Sequence, residues 1–195
     1  MILELHVRIT KAMTMNLQPF LLIATLLPSL VFAQERYVTR TGEITFFSKT
    51  SMENIEAVNH KATSVLDANT GAMEFAVLIK GFEFEKALMQ EHFNENYMES
   101  GTFPKSTFKG KVVGVAAEQL KAPGKYEVTV SGDLTIHGVA KPTTAKGTMV
   151  VDATGGVQAS SDFMVKLADH GIKVPGGVNV AEEIQISVRI DYRKM

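Results

Sequence analysis

Tyr126-Glu-Val-Thr-Val-Ser-Gly-Asp-Leu-Thr-Ile-His137 is the stretch that decides the fold class. Its even positions, Tyr126, Val128, Val130, Gly132, Leu134 and Ile136, are apolar or glycine. Its odd positions, Glu127, Thr129, Ser131, Asp133, Thr135 and His137, are polar. Successive side chains of an extended chain point to opposite faces, so this period of two predicts a half-buried β-strand, whereas a helix would scatter the same residues around its circumference. The last run repeats the pattern, with Ile184, Ile186, Val188, Ile190 and Tyr192 opposite Glu183, Gln185, Ser187, Arg189, Asp191 and Arg193.

Outward from these two anchors, residues 144–152 alternate through Ala145, Gly147, Met149 and Val151, and Phe163, Val165 and Leu167 lie opposite Asp162, Met164 and Lys166. Less regular strands are expected over residues 43–49, 54–66, 73–82 and 106–115, divided by turn formers such as Asn69-Thr70-Gly71 and Pro123-Gly124. The total is about eight. Tight connections favour antiparallel pairing, because parallel neighbours need crossover helices that are absent here. The expected architecture is all-β, an antiparallel eight-stranded, lipocalin-like barrel, with a twisted two-sheet sandwich as the alternative. Small inward residues, Gly132, Ala145 and Gly147, are expected to leave room along the axis.

One segment breaks the period of two. Phe84, Leu88, Phe93 and Met98 recur at helix-like spacing, good helix formers fill the interval, and Gly101 follows, which predicts one short helix over residues 84–98.

The N-terminus reads as an export signal. Lys11 precedes an uncharged, mostly apolar run over residues 17–32, which ends Val31-Phe32-Ala33 before the polar Gln34-Glu35-Arg36. Cleavage is expected after Ala33, leaving residues 34–195 as the mature domain. The run is shorter than the roughly 20 apolar residues of a membrane span and is interrupted by Pro19 and Pro28, so no stable span is expected after cleavage. Met13 and Met15 sit just upstream, and residues 1–12 read as an over-extended start. The destination is the periplasm or the exterior, with the protein soluble there.

Composition excludes several classes of function. The formal charge of −1 becomes −2 once Arg8, Lys11 and Glu4 are removed, which argues against nucleic acid as a partner. With no cysteine, disulfides, thiolate zinc sites, thiol nucleophiles and a lipid-modified cysteine are all excluded. Ser131 and His137 share a strand face but stand roughly 20 Å apart at 3.3 Å per residue, too far for a catalytic pair. No G-x-S-x-G, H-E-x-x-H or phosphate-cradling glycine loop occurs. The expectation is a protein that is not an enzyme and has no cofactor or metal. Glu91, His92, Glu95 and Glu99 have spacings that can gather a metal on a helix, but they read more simply as a solvated face.

Leu134-Thr-Ile-His-Gly-Val-Ala-Lys-Pro-Thr143 resembles the signature of the YceI-like family of exported lipid- or polyisoprenoid-binding proteins. Phe103-Pro-Lys-Ser-Thr-Phe108 is similar to that family's F-P-x-x-x-F segment, and residues 162–172, DFMVKLADHGI, are similar to its late strand and turn. The resemblance spans roughly residues 42–192. The opening departs from it: Thr41-Gly-Glu-Ile-Thr-Phe46 keeps only the apolar end of the family's D-x-x-H-S-x-I-x-F. The resemblance implies an elongated apolar cavity holding an isoprenoid quinone, a polyprenyl phosphate or another lipid.

On that reading the apolar ligand is expected to meet Phe46, Phe75, Phe82, Phe103, Phe108, Tyr126, Val128, Val130, Leu134, Ile136, Met149 and Phe163. A filled core would use the same residues, and a secreted interaction module with a solid barrel is the alternative function. His137 and Lys141 read either as a polar mouth, with Lys141 pairing a phosphate, or as parts of a tight hairpin in which Gly138 supplies backbone freedom. A homodimer is left open.

Overall fold

The computed structural model describes residues 35–50, 53–174 and 180–195; the signal-peptide reading of residues 1–33 lies outside them. The described residues form nine strands: β1 (Arg36–Lys49), β2 (Asn54–Asp67), β3 (Ala72–Leu78), β4 (Glu83–Phe84), β5 (Lys105–Val113), β6 (Gly124–Ile136), β7 (Val139–Val151), β8 (Val157–Lys166) and β9 (Glu183–Lys194). All neighbours are antiparallel, in the order β1-β9-β8-β7-β6-β5-β3-β2, and β2 pairs back onto β1, closing an eight-stranded barrel. The two-residue β4 is a patch on the outer stretch of β2, where Phe84 pairs Ala57 and Glu83 pairs Val58. The barrel reading therefore stands and the sandwich does not.

Strand β6 has the predicted faces. It is zipped to β7 from Gly124↔Val151 to Ile136↔Val139, and only His137 and Gly138 remain to turn the chain. Their φ angles are +51° and +73°, the pair of positive values that a two-residue hairpin with right-handed strand twist requires. Glycine meets that demand without strain and histidine is among the side chains that tolerate it.

Several boundaries differ from the expected ones. β1 starts at Arg36 and not at residue 43, because register shifts between Thr39, Gly42 and Ile44 interrupt the alternation that would have shown the earlier part. β3 stops at Leu78, where Ile79–Gly81 make a tight turn anchored by Ile79 N–H donating to Pro104 O. The helix α1 spans only Ala87–His92. It then widens into a π-type turn over Phe93–Tyr97, with Met98 N–H donating to Phe93 O at 2.9 Å. Phe84, expected at the start of the helix, instead belongs to β4 with Glu83. Leu88 faces solvent at 61% exposure, and the inward face is carried by Phe93 and Met98.

The strand order puts the β2–β3, β5–β6 and β7–β8 connections at one end of the barrel. That end is packed shut by Tyr37, Leu66, Leu120, Val151, Val157 and Tyr192, all within one buried cluster. Tyr37 Oη donates to Leu120 O at 3.3 Å, and Tyr192 Oη shares a 2.6 Å hydrogen bond with Ser64 Oγ. Burial pushes the Tyr192 phenol well above its ordinary pKa, partly opposed by the Ser64 hydrogen bond. A raised phenol pKa contributes stability that is complete below the unfolded value of about 10 and is lost as pH rises beyond it. Urea unfolding of the wild type is therefore expected to weaken above pH about 10. Tyr192→Phe is expected to lose about 1–3 kcal/mol at pH 7, because Ser64 is left unpaired, and to show a shallower alkaline decline.

The opposite end carries the β6–β7 turn and the long connection from β3 to β5, including α1. Here two ladders stop short. β2 and β3 pair only over Thr63–Leu66 with Met73–Ala76, and β7 and β8 only over Gly147–Val151 with Val157–Ser161. The first gap is filled: buried Asn59 donates to Leu78 O at 2.9 Å, β4 pairs with β2, and Phe46, Phe82, Phe84 and Phe93 pack ring against ring at 5.0–5.7 Å between centroids.

Candidate functional site

Inward positions from the strands enclose a cavity of ≈ 180 Å³. It touches Met73, Val112 and Met149 of the cluster at the shut end, Phe46, Val77 and Phe82 of the aromatic cluster, and Ile79, Met98, Leu167 and Ile172 at the helix-bearing end. One void in contact with three successive clusters is elongated along the barrel. The barrel is thus not packed solid. Its volume is smaller than the ≈ 300–1,000 Å³ usual for ligand pockets, so a long chain fits only if side chains move. Three of its walls are methionines, Met73, Met98 and Met149, the most deformable apolar side chains.

Ten of the fourteen residues expected at a ligand site line this cavity: Phe46, Phe75, Phe82, Phe108 and Phe163 as aromatics, and Val128, Val130, Leu134, Ile136 and Met149 as aliphatics. Four do not, each for a physical reason. Tyr126 belongs to the shut end, its hydroxyl lying over Gly124, where a Cβ would come within 2.5 Å of it. Phe103 lies over the β6–β7 turn, its ring 4.5 Å edge-on from that of His137 and 2.6 Å from where a Cβ on Gly138 would stand. His137 is drawn into the same contact, with Nε2 3.4 Å from Glu99 Oε1. Lys141 is exposed and stands outside the cavity.

Glu99 and His137 are the only non-glycine residues at positive φ among the described residues, and they face each other. Together with Phe103 they dock the segment after α1 onto the hairpin tip, which holds Phe93 and Met98 against the cavity. The hairpin reading of His137 is what this geometry gives.

Other lining residues went unassigned in the sequence. Ile184, Ile186, Val188 and Ile190 of β9 form one wall, and their alternation was already plain, so extending the inward face from β6 to β9 would have found them. Phe93 and Met98 had helical spacing as their only signal. Gly132 does not leave axial room: a Cβ there would overlap Lys109 O and Gly110 Cα on β5. Its role is close approach of two strands at the Gly110↔Gly132 pair.

The lining holds no Asp, Glu, His, Lys or Arg, and its polar members are only serine and threonine. Such a surface binds by burial of apolar area, about 25 cal/mol per Å² before costs. His92, Glu91, Glu95 and Glu99 do not converge, and among the described residues no three His, Asp or Glu side chains are placed to hold a metal. His60 is paired with Glu43 at 3.2 Å on the outer surface. No helix among the described residues is long and apolar enough to cross a membrane.

Comparison with known proteins gives a consistent picture. A UPF0312 protein of Pseudomonas putida (strain W619) is 33% identical over 98 residues, 48% of this chain and 47% of that protein. A UPF0312 protein of Pseudomonas fluorescens (strain SBW25) is 39% identical over 74 residues, 35% of this chain and 38% of that protein. The chain thus matches about half the length, or less, of these curated relatives. Among solved structures, a polyisoprenoid binding domain from Saccharophagus degradans aligns with TM-score 0.69 at 11% identity, over 84% of this chain and 100% of that one. Burkholderia cenocepacia BcnA aligns with TM-score 0.65 at 17% identity, over 78% and 96%. At these identities the likeness is one of fold. The YceI-like domain model matches residues 31–192, and the chain belongs to the YceI-like family.

Proposed function

We propose that this protein is a non-catalytic carrier that is exported before folding, to the periplasm or the exterior, and holds a long apolar ligand such as an isoprenoid in the barrel. The observation that carries this reading is the elongated cavity with an uncharged lining. The polyisoprenoid-binding description of the Saccharophagus degradans domain supports an isoprenoid chain as the occupant. The ligand enlarges the void by displacing Met73, Met98 and Met149 and lifting the segment that carries Phe93.

Protein purified from its own host is expected to release an apolar molecule in native mass spectrometry, and added isoprenoid is expected to raise the melting temperature. No co-purifying molecule together with an unchanged melting temperature would refute the carrier reading. Ala159 lines the cavity between Met149 and Ile190, so Ala159→Phe fills the void from the wall. Isoprenoid uptake is expected to fall at least about tenfold while the melting temperature stays within a few degrees, since added bulk enters free space.

A further inference from the structure

The second unfinished ladder has no aromatic plug. β7 pairs with β8 only over Gly147–Val151, yet it continues to pair with β6 out to Val139, and β8 continues to pair with β9 out to Lys166. Both strands therefore extend beyond their common ladder with facing edges that do not bond each other. The gap has two closed ends. At one, Gly147 pairs Ser161 and Ser161 Oγ donates to Lys146 O at 2.7 Å. At the other, the buried His170 ring Nδ1 lies 3.0 Å from Val139 O.

The gap opens beside the cavity. On the cavity side of β7, Val151 and Met149 are buried, Gly147, Ala145 and Thr143 are half-buried, and Lys141 is exposed. On β8, Val157 is buried, Ala159, Ser161 and Phe163 are half-buried, and Val165 is buried again. The inward residues of β6 and β9 are half-buried in the same way, as befits a cavity wall, and Thr143, Ala145 and Phe163, which lie in the unpaired stretch, line the cavity. The cavity is therefore bounded here by two strand edges with no ladder between them.

Lys141 stands at the rim of this gap. It pairs with Leu134 in register, so it occupies the cavity-side face of β7, one inward position beyond Thr143. No ion pair or side-chain hydrogen bond engages its ammonium among the described residues. The nearest acids by register are turned elsewhere: Asp133 faces Pro142 on the outer surface, and Asp162 is bound by Arg189 at 3.0 Å and by Ser187.

We propose that the gap between β7 and β8 is a lateral portal through which the chain of the ligand passes, and that Lys141 binds an anionic end group that remains outside. This rests on the carrier reading and narrows the ligand class to an apolar chain with an acidic head, not a neutral one. A single exposed ammonium at the edge of an uncharged void is a point charge placed to meet a phosphate or carboxylate.

Two probes with the same chain, geranylgeranyl phosphate and geranylgeraniol, test the head group by equilibrium titration. Lys141→Glu is expected to weaken the phosphate about tenfold and to leave the alcohol within twofold. Lys141→Arg is expected to keep both, and Lys146→Glu, the same charge change on the outer face of β7, is expected to change neither. Equal effects of Lys141→Glu on both probes, or no effect on either, would overturn the head-group assignment while leaving the carrier reading intact. Failure of the wild type to bind either probe would instead bring down the carrier reading itself.

The portal is tested by rate. The chain has no native cysteine, so Met164→Cys, on the outer face of β8 within the unpaired stretch and 56% exposed, can be capped reversibly with a benzyl methanethiosulfonate. Uptake and release of geranylgeraniol are expected to slow together, about tenfold, with affinity nearly unchanged, and dithiothreitol is expected to restore both. Unchanged rates, or a loss of affinity without slower uptake, would place the route elsewhere.

Discussion

Gly132→Val is expected to lose about 3 kcal/mol or more of stability, a fall of roughly 6–12 °C in melting temperature for a domain of this size. The reason is backbone against backbone. Gly132 on β6 faces Gly110 on β5, and a Cβ on either residue overlaps main-chain atoms of the other strand: Lys109 O and Gly110 Cα from Gly132, Ser131 O and Gly132 Cα from Gly110. Neither neighbour can swing aside as a side-chain tip could, so relief requires moving two strands whose ladders continue into β3 and β7. Gly101→Ala is the matched comparison. Nothing lies within 4 Å of where its methyl group would stand, and its effect is expected to stay within about 0.5 kcal/mol. Urea titration of the two variants checks the contrast, and a Gly132→Val protein as stable as Gly101→Ala would mean that the strands do not approach this closely.

Phe46→Ala is expected to cost about 3–5 kcal/mol and to loosen the helix-bearing end. Phe46 is 7% exposed and its ring contacts those of Phe82, Phe84 and Phe93 at 5.7, 5.6 and 5.3 Å. Those partners come from the connection that crosses the short β2–β3 ladder, so this one side chain from β1 fastens the whole plug. Edge-on and offset ring pairs add about 0.5–1.5 kcal/mol each to the burial term, which puts the cost in the upper part of that range. Leu88→Ala on the exposed face of α1 is expected to change stability by less than about 0.5 kcal/mol. Thermal and urea unfolding decide it: similar losses for the two variants would show that the aromatic cluster does not hold the segment.

The fold was legible wherever one face of a strand is buried and the other is wet. β6 and β9 satisfy that condition over their whole length, and their alternation gave strand and face, while the tight connections gave the antiparallel class. It was hidden in the first part of β1, where register shifts put Thr39 and Gly42 off the expected phase, and in the first part of β8, where Ala159 and Ser161 face the cavity as small residues with no apolar signature. The helix was misjudged in extent because Phe84 has helical spacing but is taken up by β4 pairing.

The site was legible to the extent that it is ordinary inward face. Phe75, Val128, Val130 and Phe163 could be assigned by pattern, since a cavity wall and a filled core draw on the same residues. Whether space remains between them depends on how eight faces meet, which no single strand encodes. The portal was illegible for a related reason: hydrogen bonds missing between two strands leave both sequences alternating as before. Lys141 could be singled out from its motif, but its position beside an unbonded strand edge follows only from the register of β7 against both neighbours.

The β6–β7 hairpin has a consequence in time as well as in shape. It closes over two residues and can zip thirteen pairs with little loop entropy, whereas the ladder between β1 and β9 joins residues such as Ile44 and Val188 from opposite ends of the domain. Local contacts form cheaply and distant ones late, so the hairpin is the natural starting point of folding and the β1–β9 ladder its natural last step. The interior exists as an enclosed space only after that final closure. A cargo must therefore be trapped as the last ladder forms or be admitted afterwards through a wall that is already built, and a carrier that is emptied and refilled within one lifetime needs the second route.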